Sequence, residues 1–187
     1  MRKVIGFELP KSIDLSLLQD LCKEIFSEVE LDNYSDSIVT LIVKEDEIFL
    51  LKTLKSHFED NGVSLTGVIS HTDGEILIKA LQFAKTATSN QVIHLADVIL
   101  LEAIHKKNAI IKEIDSSLKH VSFEAIATAR AFIEHGCNAL AAAESLYIHR
   151  NTFSYRLNKF IDQTDLDIRD FHNARLFQNY LILQHYI

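Results

Sequence analysis

The period of the apolar residues changes part-way along this chain, and that change limits the fold more than any other feature of the sequence. Up to about residue 96, short β-rich runs alternate with helical ones, and beyond it nearly every segment reads as helix. Strand character lies at 3–8, 38–43 and 64–69, with a shorter run at 92–94. Between these, Leu17, Leu18, Leu21 and Ile25 predict a helix over 15–28. Leu50, Leu54 and Phe58 predict one over 46–59, and Leu77, Leu81 and Ala84 one over 75–86. A single proline, Pro10, and five glycines in 187 residues leave few breaks, so the elements should be long and regular. Strands alternating with helices predict an amino-terminal domain of α+β or α/β class, a mixed sheet carrying helices, and the helical remainder predicts an all-α domain. We place the boundary so that the domains are 1–115 and 116–187.

Composition narrows the class. With 48% hydrophobic residues the chain can bury a substantial core. No apolar run approaches the roughly 18 residues needed to cross a bilayer, and the amino terminus lacks the basic-then-apolar layout of a signal peptide. The expectation is a cytoplasmic protein without a membrane partner. Cys22 and Cys137, far apart, do not make a disulfide framework and are expected as reduced, mostly buried thiols.

The sharpest local signal spans 138–161. Ala139, Ala141, Ala142 and Ala143 form a small-residue helix whose backbone a second helix can approach closely, and Asn138 is a natural cap for it. A second amphipathic helix follows. Phe153, Leu157, Phe160 and Ile161 fall on one side, facing Ala142, Ala143, Leu146 and Ile148. Asn151, Thr152, Tyr155, Asn158 and Lys159 fall on the other, flanked by Arg150 and Arg156. From 145 to 161 the only charges are Arg150, Arg156 and Lys159, a local +3 in a chain of formal net charge −7. Helix, tight turn and a helix opening with basic and amide groups is how a helix-turn-helix meets the DNA major groove. Asn151 or Thr152 can alternatively serve only as the cap of the second helix. His149 has two open roles, phosphate contact or packing of its ring against the turn.

Asn138, Ala143, Leu146, His149-Arg150-Asn151-Thr152, Tyr155-Arg156-Leu157 and Thr164-Asp165-Leu166-Asp167 together resemble the carboxy-terminal helix-turn-helix of the PucR/CdaR group of bacterial transcription regulators. The run from Ala142 to Thr152 also resembles the broader Fis-type motif. The resemblance covers 122–187 and implies DNA recognition by these two helices, with Arg150, Asn151, Thr152, Tyr155 and Arg156 matching the motif; His149, Ser154 and Lys159 of the same stretch complete the candidate DNA contacts. Two positions depart from the pattern: Asp165 stands where the family commonly has Gly, and Tyr147 occupies a turn where many Fis-type domains carry Gly. Either the Tyr147 turn avoids a left-handed residue or it accepts a cost on the order of 1 kcal/mol. In the first half, 65–70, 74–87 and 92–97 resemble the degenerate GGDEF-like domain that precedes the reader in these regulators. Nothing here matches the Gly-Gly-Asp/Glu-Glu-Phe turn of active cyclases; 71–75 reads as a strand end and helix cap, with Thr72 or Asp73 as the cap.

No catalytic constellation emerges. Nine histidines are scattered without a His-x-x-x-His pair, and there is no Gly-rich phosphate loop or Gly-x-Ser-x-Gly elbow. The carboxylates Asp162, Asp165, Asp167 and Asp170 read as solvated surface and helix starts. The terminal stretch 168–187 predicts a helix too broadly apolar for one narrow stripe, buried within the domain or against a second subunit. The resulting expectation is a non-enzymatic, sequence-specific DNA-binding transcription regulator. It needs no cofactor or metal, acts on double-stranded DNA as a homodimer and answers to an unidentified small-molecule effector. The alternative is a protein-interaction or ligand-sensing module that keeps the helix-turn-helix fold without specific DNA binding. It rests on the six Lys/Arg against seven Asp/Glu in 121–187.

Overall fold

The central strand is β1 (Arg2–Glu8), which pairs antiparallel with two others. The computed structural model describes residues 2–10, 13–33 and 37–186, and the chain divides into two compact units, Met1–Leu101 and Glu102–Ile187. In the first unit β1 is followed by α1 (Leu15–Ile25), β2 (Val29–Asn33), β3 (Ile38–Lys44), a 3₁₀ turn (Glu45–Leu50) and α2 (Leu51–Asp60). Then come β4 (Thr66–Ser70), α3 (Glu75–Ala87), β5 (Val92–His94) and α4 (Leu95–Ile104), whose last residues belong to the second unit. The sheet order is β2-β3-β1-β4-β5, with β5 parallel to β4 and the other neighbours antiparallel. The segment from β1 to β4 is thus a split βαβ arrangement, and α3 with β5 extends it by one parallel strand.

Alternation along β1 decides what lies on each face. Ile5, Phe7 and Leu9 join one core with Leu18 and Cys22 of α1, Val39, Leu41 and Val43 of β3, and Leu54 and Phe58 of α2. Gly6 points the other way, where a methyl group would fall 2.6 Å from Leu81 Cδ1 of α3, so the missing side chain lets that helix rest on the strand. The sheet is therefore covered on both faces, as expected for a mixed layer structure.

Three differences from the sequence reading have simple causes. The edge strand β2 lies outside the expected strands: Val29 and Leu31 do alternate with Glu30 and Asp32, but the run is only five residues long and it pairs on one side only. The helix expected over 15–28 ends at Ile25, where the chain turns extended at Phe26 to enter β2. Neither Thr72 nor Asp73 caps α3: Gly74 is the cap residue, and the Thr72 hydroxyl accepts its N–H at 3.5 Å.

The second unit contains α5 (Ala109–Leu118), α6 (Phe123–Glu134), α7 (Ala139–Ser145), α8 (Arg150–Thr164) and α9 (Phe171–Leu183). The division at 101/102 falls ahead of the 115/116 boundary expected from the sequence, because α5 is tied into the helical unit at both ends. The buried Glu102 carboxylate accepts the N–H of Ala109 at 2.8 Å and of Ile110 at 3.1 Å, and Asp115 accepts the Tyr180 hydroxyl at 2.9 Å. The terminal helix starts later than its apolar pattern suggested, since Asp170 caps it through the Asn173 N–H; Ile187 lies outside the described residues. Its inner face is core. The Phe177 ring lies 5.0 Å from Phe160 and 6.1 Å from Tyr180, while Phe171, Gln178 and Ile182 are exposed.

Candidate nucleic-acid interface

Helix α7 is short and built from alanine, so its shape depends on its ends. Asn138 Oδ1 accepts from the N–H groups of Leu140 at 3.0 Å and Ala141 at 3.2 Å, satisfying two amides that the helix itself leaves unpaired. At the other end Tyr147 N–H donates to Glu144 O and Ile148 N–H to Ala143 O, the double bond of a Schellman motif. That motif needs a left-handed residue, and Tyr147 supplies it at φ 55° with a side chain 96% exposed. The turn therefore accepts the backbone cost that glycine would avoid.

Helix α8 begins at His149. Its Nδ1 accepts the Asn151 N–H at 3.2 Å, so the imidazole is the cap, and neither Asn151 nor Thr152 is. Both of the latter sit inside the first turn, two and three residues past the cap position, and both are exposed. The ring packing proposed for His149 gives way to this hydrogen bond. Phe153, Leu157 and Phe160 are buried as their spacing predicts, and Ile161 is half-buried. The sequence reading missed α6 as a major support: Phe132 lies 6.2 Å from Phe153, and Ala125, Thr128 and Ala129 of that helix are fully enclosed. The helical period of 123–134 was the available signal.

The opposite side of α8 is open. His149, Arg150, Asn151, Thr152, Ser154 and Tyr155 are exposed, and Arg156 and Lys159 are half-buried. Arg150, Arg156 and Lys159 have no ion-pair partner among the described residues. A row of uncompensated cations with amide and hydroxyl groups between them can bind phosphate and donate to base edges. The helix ends at Asp165, left-handed at φ 54°, so the departure noted in the sequence leaves aspartate in a conformation that glycine adopts more readily. The following loop is closed by Thr164, whose hydroxyl donates to Phe160 O at 2.7 Å and accepts the Leu166 N–H at 3.2 Å. Asp167 takes two hydrogen bonds from the Arg169 guanidinium, at 2.7 and 2.6 Å, which hold its carboxyl below the usual range.

Elsewhere, Cys22 is buried, and burial pushes its thiol up to about 11. Cys137 departs from the expected burial: it lies exposed, at φ 61°, in the connection between α6 and α7. Among the described residues no three His, Cys, Asp or Glu side chains gather as a metal site, and no helix is long and apolar enough to cross a membrane.

An alanine-rich helix, a Schellman turn and a second helix with a cationic outer face, held on a third helix, define a helix-turn-helix unit. Residues 125–182 match the family described as the PucR C-terminal helix-turn-helix domain, so the second unit carries a domain of that type. The chain is 27% identical over 92 residues to the proline-responsive transcriptional activator PutR of Bacillus subtilis (strain 168), covering 45% of this chain and 22% of that protein. It is 40% identical over 57 residues to the carbohydrate diacid regulator of Escherichia coli (strain K12), covering 30% of this chain and 14% of that protein. The matched segments thus span less than a quarter of either relative. Among solved structures, the regulator of polyketide synthase expression from Bifidobacterium adolescentis is similar with a TM-score of 0.48 and 15% identity, over 99% of this chain and 80% of that one.

Proposed function

We propose that this chain is a non-enzymatic, sequence-specific DNA-binding transcription regulator of the PucR/CdaR type, acting in the cytoplasm. The observation that carries the reading is the outer face of α8. Arg150, Arg156 and Lys159 are free of ion pairs among the described residues, and no carboxylate lies between 145 and 161. In this reading Arg150 and Arg156 engage phosphates, while Asn151, Thr152, Ser154 and Tyr155 meet base edges or sugar-phosphate. Two copies related by a two-fold axis would place their α8 helices on half-sites about 34–36 Å apart, because one such helix buries little DNA.

The first unit, with its mixed sheet ahead of the reader, serves in this account as a degenerate GGDEF-like regulatory and dimerisation domain without cyclase chemistry. PutR is named as proline-responsive, and a small-molecule effector for the present chain is part of the same proposal. Selection of bound fragments from genomic DNA tests it. An enriched palindrome with the expected half-site spacing supports the regulator. A second reading, a protein-interaction module, draws on the slight acidity of 121–187; failure to retain any DNA fragment at low salt would favour it.

A further inference from the structure

We infer that His149 is held as the neutral Nε2–H tautomer and that this nitrogen donates an uncharged hydrogen bond to a DNA phosphate. The inference rests on the DNA-binding reading and adds the part played by one residue of that face. A ring nitrogen that accepts an N–H must offer a lone pair, and Nδ1 does so toward Asn151 at 3.2 Å. The remaining proton of a neutral imidazole is then on Nε2, the far edge of the ring. The His149 side chain is exposed, and Nε2 has no partner among the described residues.

Capping by itself does not call for histidine. Serine, threonine, asparagine and aspartate are the preferred caps, and each reaches the same amide with a shorter side chain. What the imidazole adds is a second, oppositely directed polar atom on a rigid ring whose orientation the Asn151 bond fixes. His149 is exposed, as are Arg150 and Asn151, which follow it at the start of α8, so this stretch of the helix is open to a phosphate if α8 enters a groove. A neutral donor there orients the backbone without adding to the count of displaced counterions. The cations of α8 supply attraction, and His149 supplies direction.

The test compares wild type, His149→Ser and His149→Ala in the full chain, titrated against a labelled random-sequence duplex at several salt concentrations. Serine keeps the cap and removes the distal donor; alanine removes both. We expect His149→Ser to unfold at the wild-type denaturant midpoint and to bind about 3- to 10-fold more weakly, the range of one net hydrogen bond. Its salt slope should be that of wild type, because no charge has been lost. His149→Ala should lose the same affinity and, in addition, stability. Long-range proton–nitrogen correlation spectra of the free protein at mildly alkaline pH should show His149 protonated on Nε2. The inference is overturned by an Nδ1–H tautomer, by a His149→Ser variant that binds like wild type, or by a salt slope that falls by about one. Absence of wild-type binding overturns the DNA reading, and the inference with it; wild-type binding with an unaffected serine variant overturns the inference alone.

Discussion

Replacing Tyr147 separates what the turn between α7 and α8 needs from what its side chain contributes. The backbone there is left-handed, φ 55°, and the side chain is 96% exposed, so the fold gains almost nothing from packing the ring. An L-residue in this conformation costs roughly 1–2 kcal/mol. Glycine removes that cost but gives back about 0.5–1 kcal/mol through the larger freedom of its unfolded chain. Tyr147→Gly should therefore stabilise the protein by about 0.5–1 kcal/mol. Tyr147→Ala, which keeps the strain and loses only an exposed ring, should change stability by less than about 0.5 kcal/mol. Urea unfolding of the full chain followed by circular dichroism gives both values, with an unchanged m-value showing that the surface exposed on unfolding is the same. A glycine variant less stable than the alanine variant would refute the reasoning, since the turn would then not be paying a left-handed penalty.

Other perturbations follow from the same geometry. Glu102→Ala strips the acceptor from the amides that open α5 and should cost about 2–3 kcal/mol in urea unfolding; a loss below about 0.5 kcal/mol would mean those amides find water instead. Burial, reinforced by the nearby Lys3 charge, pushes the His71 imidazole down to about 4 from its ordinary 6.5. The unfolded chain takes up that proton first as pH falls, so stability should drop between about 6.5 and about 4 and stop dropping on this account below it. His71→Gln should flatten that stretch of the pH–stability curve, and an identical curve would remove His71 as its cause. A thiol reagent applied to the native protein should label Cys137 quickly and Cys22 only after unfolding, because only the former is exposed; equal rates would contradict the buried environment of α1.

The parts of the structure legible in the sequence are those where one strong local rule acts alone. Ile5 and Phe7 alternate cleanly, and β1 appears where they place it; Leu77, Leu81 and Ala84 repeat at helical spacing, and α3 follows. The small-residue helix and its Asn138 cap were readable to the residue. What escaped depended on partners remote in sequence. Strand β2 alternates apolar and polar residues over too short a run to stand out alone, and its pairing with β3 is what holds it. The division ahead of α5 depends on the Glu102 carboxylate and on the Tyr180 hydroxyl, which lies far down the chain. At the interface, cap preference pointed to Asn151 or Thr152, yet the helix begins earlier and histidine, not a favoured cap, takes the position. The chemical types on the outer face of α8 were legible; which of them the backbone would consume was not.

The most direct test of the central claim is the salt dependence of DNA binding by wild type, Arg150→Ala and Arg156→Ala, measured by fluorescence anisotropy against a selected genomic duplex and a random one. The account predicts tight, salt-sensitive binding to the selected duplex. Each substitution should weaken both duplexes and lower the magnitude of the salt slope by about one, as removal of one phosphate contact does. Unchanged affinity and slope in both variants, with wild type bound, would contradict the assignment of α8 as the DNA-reading helix.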